Sequence, residues 1–407
     1  MKTYDKMNVR INNPEKGNES MMKPINDENS QQNKKICFFA LNAYPVITGK
    51  FKNHIGVMGG SELQQSLIGK ELAKNHYNVS FVVYKNTSNN SYPFECIERI
   101  KFFKTINKDF KFSGIFSYWI CIKSLWNAMA LANADIYYQR GSGSETGVVA
   151  LFCLFKRRKF IFALSSDMDI NGTFFKNARF YEKILIYFGL KTADLILTQN
   201  YYQKKILEKK FNRESCVIKN IFSFQSLDPK IKKGSSVLWV GTIRPEWKQP
   251  ELFLNLAKSI PDANFVMIGG AASNSNFYES IKRDAEKIPN LEFMGFIPYS
   301  QINQYFAEAS IFVNTSTFEG FPNTFLQAWA NFTPVVSLNV DPDELICDRK
   351  LGYHSKTFEK MVSDINALLK NDSLRIEMGK NGRKYVEEEH DLNVIIPKYS
   401  EILQNLG

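Results

Sequence analysis

The chain has little of what marks a secreted, metal-held or membrane-spanning protein. Its 407 residues include only four histidines and six cysteines. No Cys-x-x-Cys pair occurs among Cys37, Cys96, Cys121, Cys153, Cys216 and Cys347. Most of them stand in apolar runs, where a free thiol behaves as a small hydrophobe. The histidines do not gather around them, so neither a disulfide framework nor a metal site is expected. No run of about 18 uncharged apolar residues is present, which argues against a spanning helix. The first residues lack an apolar stretch ending in small residues, so no signal peptide is expected. Residues 1–35, polar and rich in Asn, Lys and Glu, read as a disordered leader. A reduced, cytoplasmic setting is the expectation these absences leave.

A chain of 407 residues exceeds what one hydrophobic core usually supports, so two domains are expected. The formal net charge of +11 attracts polyanions of several kinds: nucleic acid, an anionic membrane surface and phosphate-bearing substrates. Organisation narrows the choice. From Ile36 onward, short runs rich in Ile, Val and Phe alternate with longer helical patterns. Strands are expected at 36–41, 79–84, 135–139, 160–164 and 195–198, with helices at 61–75, 146–155 and 177–189. The pattern breaks near 224–236 into Ser, Gly, Lys, Asp and Pro, the composition of a linker. It then restarts with strands at 237–240, 264–268, 291–294, 311–314 and 334–338 and helices at 250–260, 276–287, 300–309 and 324–331. Such alternation predicts an α/β fold of two parallel sheets covered by helices. The expected division is a leader at 1–35, one domain at 36–225 and a second at 236–385. A terminal helix at 386–407 is expected to pack back on the first domain.

Ligands of open parallel sheets bind at the strand carboxyl ends, so the loops there are the ones to read. Glu319-Gly320-Phe321-Pro322-Asn323-Thr324 follows one expected strand and opens a helix. The first amides of a helix lack internal partners and sit at its positive end, which suits a phosphate. Gly320 would admit close approach of a ligand, Asn323 would cap the helix, and Glu319 could accept hydrogen bonds from sugar hydroxyls. The same residues also suit a plain capped helix. A second loop, Gly241-Thr242-Ile243-Arg244-Pro245-Glu246-Trp247-Lys248-Gln249, again joins strand to helix. Arg244 and Lys248 there could neutralise a departing diphosphate, a task otherwise left to magnesium; two solvated cations on a turn are the plainer reading.

The runs 238–249, 250–252 and 319–330, with Gly59-Gly60-Ser61-Glu62 opening the first helix, resemble retaining glycosyltransferases of family 4. The resemblance spans roughly residues 35–407. It implies two Rossmann-like domains, the GT-B architecture, with the active site in the cleft between them, and a nucleoside-diphosphate sugar as co-substrate with no further cofactor. Glu319 matches the first Glu of the family's Glu-x7-Glu motif, and Gln327 stands at the second position, where ribose is bound. Gln can still accept a hydrogen bond from a hydroxyl. Lys248 matches the diphosphate lysine. Thr242 stands where the family commonly has arginine, which leaves Arg244 as the nearby candidate. Gly241, Gly320, Phe321, Pro322, Asn323 and Thr324 fall in the donor-binding loops, and Ile297 where the backbone meets the nucleobase. Gly59, Gly60 and Glu62 fall on the acceptor side.

Other features weigh differently. Asp167-Met168-Asp169 mimics the Asp-x-Asp metal site of the other large transferase architecture, but loop capping or a polar acceptor lining explains it without a metal. Relatives often carry histidine near this strand end; Ser165 and Ser166 stand there, and His54, before the glycine loop, is a candidate substitute or, on the plainer reading, a solvent-facing histidine. Residues 99–126 mix Lys with Phe, Tyr and Trp, and Lys156, Arg157, Arg158 and Lys159 form a basic run. These suit a peripheral place at the inner face of an anionic membrane or half-buried elements with snorkelling lysines, whereas no nucleic-acid motif occurs and no nucleic-acid partner is expected. On charge alone, membrane binding would be released by salt. The reading is a retaining, metal-independent transferase acting on a glycan, glycolipid or lipid-linked acceptor in surface polysaccharide or glycoconjugate synthesis. A nucleotide-sugar epimerase and a non-catalytic nucleotide-sugar-binding module are the rivals.

Overall fold

The computed structural model describes residues 34–49, 59–85, 94–110, 114–172, 178–224, 234–271 and 275–406. The leader up to residue 33, His54, Lys111, Phe112 and most of the linker lie outside the described residues. The first sheet contains β1 (Lys35–Phe39), β2 (Asn78–Lys85), β3 (Phe94–Ile97), β4 (Ile100–Asn107), β5 (Ile136–Arg140), β6 (Lys159–Ala163), β7 (Leu195–Thr198) and β8 (Cys216–Val217). Its order is β3-β4-β2-β1-β5-β6-β7-β8, parallel throughout except for the β3–β4 hairpin. The accompanying helices are α1 (Ala43–Thr48), α2 (Gly60–Lys74), α3 (Gly114–Ala132), α4 (Ser144–Lys156), α5 (Met168–Asn171), α6 (Phe180–Thr192) and α7 (Tyr201–Phe211).

The second sheet is wholly parallel, in the order β11-β10-β9-β12-β13-β14. Its strands are β9 (Ser236–Val240), β10 (Asn264–Ile268), β11 (Leu291–Gly295), β12 (Ile311–Asn314), β13 (Val335–Ser337) and β14 (Gly352–His354). Around it lie α8 (Pro250–Ser259), α9 (Ser275–Ala285), α10 (Tyr299–Glu308), α11 (Asn323–Ala330), α12 (Leu345–Asp348), α13 (Phe358–Leu369) and α14 (Asp372–Glu389). The chain is thus an α/β protein of two Rossmann-like domains.

Apolar runs such as Ile36–Phe39 became central strands because helices cover both faces, so both sets of alternate side chains are buried. Phe38 packs with Phe81 and Tyr138 on one face of the first sheet, while Cys37 and Phe39 join Tyr137 and Phe162 on the other. Between the two readings of the basic aromatic segment, residues 100–107 take the half-buried one: they form β4, with Phe102 and Phe103 in the core and Lys104 paired with Glu95 at 3.0 Å.

The last helix, α15 (Leu392–Asn405), lies against the first domain. Its Ile395, Ile396, Tyr399 and Leu403 share a core with Phe38 and Tyr138. Lys34 Nζ donates to the Leu403 and Gln404 carbonyls at 2.8 and 2.7 Å. The chain therefore passes between the domains twice, and the two passages run together: Phe222 N donates to the His390 carbonyl at 2.8 Å. His390 is fully buried at this junction, with Nδ1 2.6 Å from the Asn220 carbonyl and Nε2 3.2 Å from the Tyr385 hydroxyl. Burial holds its pKa down at about 3, so the ring is neutral, donating from Nδ1 and accepting at Nε2.

Candidate active site

Each sheet reverses its strand order once, at β1/β5 in the first and at β9/β12 in the second. Loops diverge at such switch points and leave a crevice beyond the strand carboxyl ends. Both crevices open into one cavity of about 510 Å³. Gly59, Gly60, Arg140, Ser142, Ser165 and Asp169 line it from the first domain, and Gly241, Arg244, Lys248, Glu319, Thr324 and Gln327 from the second.

The wall of the second domain is held rigidly. Helix α11 buries Phe325, Leu326, Ala328, Trp329 and Ala330, and α14 approaches so closely that a Cβ on Gly382 would lie 2.7 Å from the Trp329 ring. Its first residues, Asn323 and Thr324, face the cavity. Lys248 Nζ pairs with the Glu319 carboxylate. The lysine's backbone is fixed by Thr315, whose hydroxyl donates to the Lys248 carbonyl at 2.7 Å and accepts from Trp239 Nε1 at 2.9 Å. Arg244 stacks over Trp247 at 4.7 Å from the ring centroid. Phe296 and Ile297, with Gly269 and Gly270, close the far end of the cavity.

Three expectations about these loops change. Asn323 is not the helix cap: Pro322 holds that position with extended backbone. The Asn323 amide instead reaches the other domain, donating to the Gly60 carbonyl at 3.1 Å and accepting from Gln64 and Asn220, both at 3.0 Å. Gly320 does not line the cavity; a Cβ there would lie 2.8 Å from Gln199 Nε2 and 3.0 Å from the Ser165 carbonyl, so its smallness serves the domain contact. Glu62 is likewise not among the lining residues; its carboxylate lies against Gly59 and accepts from Asn42 Nδ2 at 3.4 Å.

The sequence reading missed the residues that join the two walls. Gln199 accepts from Phe321 N at 3.0 Å, Asn200 donates to the Gly320 carbonyl at 3.2 Å, and Asn220 donates to the Phe321 carbonyl at 2.9 Å. Arg140 donates to Asn220 at 2.5 Å. A run of amides at the carboxyl end of an apolar strand, Gln199-Asn200, was the available signal.

Four cavity-lining residues carry buried polar atoms with no hydrogen-bond partner among the described residues: Arg140 Nε, Ser142 Oγ, Arg244 Nε and Gln327 Nε2. Such groups are rare in native proteins and require an explanation. All four belong to residues that line one cavity, a lining that suits a polar ligand.

The Asp-x-Asp pair is occupied by the protein itself. The Asp169 carboxylate accepts from Ser142 N, Ser165 N, Ser165 Oγ and Ser166 N at 2.8–3.1 Å. Asp167 accepts from Gln203 Nε2 at 2.9 Å. Burial, the dominant cause, raises the Asp167 pKa to about 7.

Two Rossmann-like domains meeting across such a cleft define the GT-B fold of glycosyltransferases. Residues 224–385 match the family model Glycosyl transferases group 1. The chain is 25% identical to an uncharacterized glycosyltransferase of Haemophilus influenzae over 384 residues, which cover 91% of this chain and 100% of that protein. Among solved structures it resembles sucrose-phosphate synthase from Thermosynechococcus elongatus, with a TM-score of 0.76 at 14% identity over 92% of this chain and 99% of that one. It also resembles Anabaena HepE in complex with UDP and glucose, with a TM-score of 0.70 at 16% identity over 92% and 100% of the two chains. The likeness to solved structures establishes the fold; the domain match and the Haemophilus relative support a glycosyltransferase.

Proposed function

We propose that the protein moves a sugar from a nucleoside-diphosphate donor to a glycan, glycolipid or lipid-linked acceptor, with retained configuration and no metal ion. The observation that carries this reading is the meeting of Lys248 and Glu319 beside the start of α11, in a cavity whose unpartnered polar atoms come from both domains. HepE, of the same fold, is described in complex with UDP and glucose, which supports a nucleotide sugar here. The diphosphate rests on the first amides of α11, and Lys248 stabilises the charge that grows on it as the glycosidic bond breaks. Glu319 leaves Lys248 for the sugar hydroxyls, Gln327 takes the ribose, and Ile297 lies at the base. The acceptor enters beside Gly59 and Gly60, and the departing phosphate helps to remove its proton on the same face. Surface polysaccharide or glycoconjugate synthesis is the setting that fits, at the cytoplasmic side of the membrane.

The test is turnover of UDP-, GDP- and ADP-sugars in the presence of EDTA. Transfer is expected to survive the chelator. Activity restored only by Mn²⁺, and lost in Asp167→Ala, would overturn metal independence. Epimerised donor formed without any acceptor, or binding with no turnover, would replace transfer by the corresponding rival activity.

Gln327 gives a second expected result. Gln327 is 4% exposed and its Nε2 is one of the unpartnered atoms. Gln327→Glu is expected to bind a nucleoside diphosphate at least as tightly, because a carboxylate accepts stronger hydrogen bonds from hydroxyls. The free variant should melt a few degrees lower, since the buried charge has no partner until ribose arrives. Calorimetric titration and a melting curve read the two effects. A loss of affinity of about tenfold or more, roughly 1.4 kcal/mol, would show that the amide donates and would remove the ribose assignment.

A further inference from the structure

Helices α3, α4 and α6 form one continuous face of the first domain. Arg179, just ahead of α6, donates to Tyr118 of α3 at 3.5 Å and to Tyr181 at 3.0 Å. On the other side, Trp126 of α3 lies against Phe155 of α4 with ring centroids 5.8 Å apart. Glycines bring α4 and α6 together: a Cβ on Gly147 would lie 2.6 Å from Leu185, and one on Gly189 2.5 Å from Thr146.

The outward side of this face is apolar. Phe116 is 74% exposed, Trp119 66%, Phe155 72% and Phe180 79%, and Ile184 and Tyr187 are exposed by half. From Phe116 to Lys123 only Ser117 is buried, so α3 begins with apolar side chains on nearly every side. A helix of that kind is made for surroundings other than water, and an exposed apolar area of this extent marks a contact surface.

Charge decides what the contact is. Lys123, Lys156, Arg157, Arg179 and Lys191 are exposed around it, and neither acid carried by the three helices, Glu145 and Glu182, is exposed. Lys156 and Lys191 lie 5.5 and 5.6 Å from the rings of Phe155 and Tyr187, so each ammonium is held beside the apolar surface it borders. Aromatic rings edged by cations match the interface of an anionic bilayer, where rings enter the headgroup region and cations meet phosphate. No helix among the described residues is long and apolar enough to cross a membrane.

We infer that this three-helix face docks on an anionic lipid surface, entered by the apolar side chains of α3 and α6. The basic run at 156–159 is the lesser part. Arg158 is paired with Asp135 at 3.0 Å and Lys159 with Asp194 at 3.1 Å, which leaves Lys156 and Arg157 to face lipid. Salt therefore weakens the attachment without releasing it, because screening acts on charge and not on apolar burial.

The full chain is sedimented with vesicles of phosphatidylcholine containing one-third phosphatidylglycerol, without donor or acceptor, so the result is independent of transferase activity. Binding is expected to persist in high salt. The triple variant Phe116→Ser, Trp119→Ser, Phe180→Ser should bind about tenfold or more weakly at every salt concentration, with melting temperature and nucleoside-diphosphate affinity unchanged. Lys156→Ser with Arg157→Ser should lose only a few-fold, and only at low salt. Complete release of the unaltered protein by salt, vesicle binding by the triple variant equal to that of the parent, or failure of the parent to bind vesicles would each overturn the inference. A dimer in analytical ultracentrifugation that the triple variant disperses, with no vesicle binding, would assign the face to a second copy of the chain.

Discussion

Lys248→Ala is expected to lower kcat for sugar transfer by about 10²–10³-fold, the loss that follows removal of one preorganised partner of a developing anion. The lysine qualifies by how it is held. Its carbonyl is fixed by Thr315, Trp247 next to it accepts from Thr317 N at 2.8 Å, and its ammonium already faces Glu319 at the start of α11. Charge on the leaving diphosphate is greater in the transition state than in the bound donor. KM for the donor should therefore move less than kcat. Lys248 and Glu319 are 21% and 18% exposed and both line the cavity, so water can reach the carboxylate that the variant leaves behind, and the melting temperature should fall by no more than a few degrees. Steady-state kinetics beside a melting curve separate the two effects. A variant with unchanged kcat would remove Lys248 from the leaving-group role.

Acid should expose two opposed titrations. His390 is neutral in the fold, with a pKa near 3 because it is buried, whereas an unfolded histidine takes a proton near pH 6.5. Its contribution is present in full above that pH and is lost as pH falls toward 3. Asp167 runs the other way: burial raises its pKa to about 7, so its contribution is present in full below the ordinary carboxylate range and is lost as pH rises through 7. Between about pH 4 and 6.5 the two slopes, each about 1.4 kcal/mol per pH unit, largely cancel. Asp167→Asn keeps an acceptor for Gln203 and should leave the His390 slope alone, so stability falls steeply with acid across that window. His390→Gln should show the reverse, a lower stability at neutral pH that rises as pH falls. Denaturant unfolding of the three proteins from pH 4 to 8 measures the slopes. Parallel profiles for parent and both variants would dismiss both groups as the source.

Much of the fold was legible because the second domain repeats a simple pattern. Strands at 264–268 and 311–314 match the expected bounds, since their apolar runs are short and end in Gly or Asn. The β3–β4 hairpin and α3 were not legible. Their lysines and aromatics mix without a clean period, because β4 buries Phe102 and Phe103 while exposing Lys101 and α3 is apolar almost all round at its start. On the cavity, Lys248 and Glu319 stood on recognisable loops, and Gln327 at a fixed spacing from Glu319 in the helix that follows. Arg140, Asn220 and Gln199 did not, because their importance arises only where two distant stretches of chain meet. Asn323 was misread for the same reason. A cap is a local inference, and its amide is used across the cleft.

The return of α15 to the first domain has a consequence for synthesis on the ribosome. Ile395, Tyr399 and Leu403 complete a core otherwise built from residues 36 to 221. When the first half of the chain has emerged, that half is still missing one side of its interior, while the second domain can close on segments contiguous in sequence. The N-terminal domain is thus the later of the two to reach its final packing. Until residues 392–405 emerge, the surface that will receive them stays apolar and open, a place where a chaperone would hold the nascent chain.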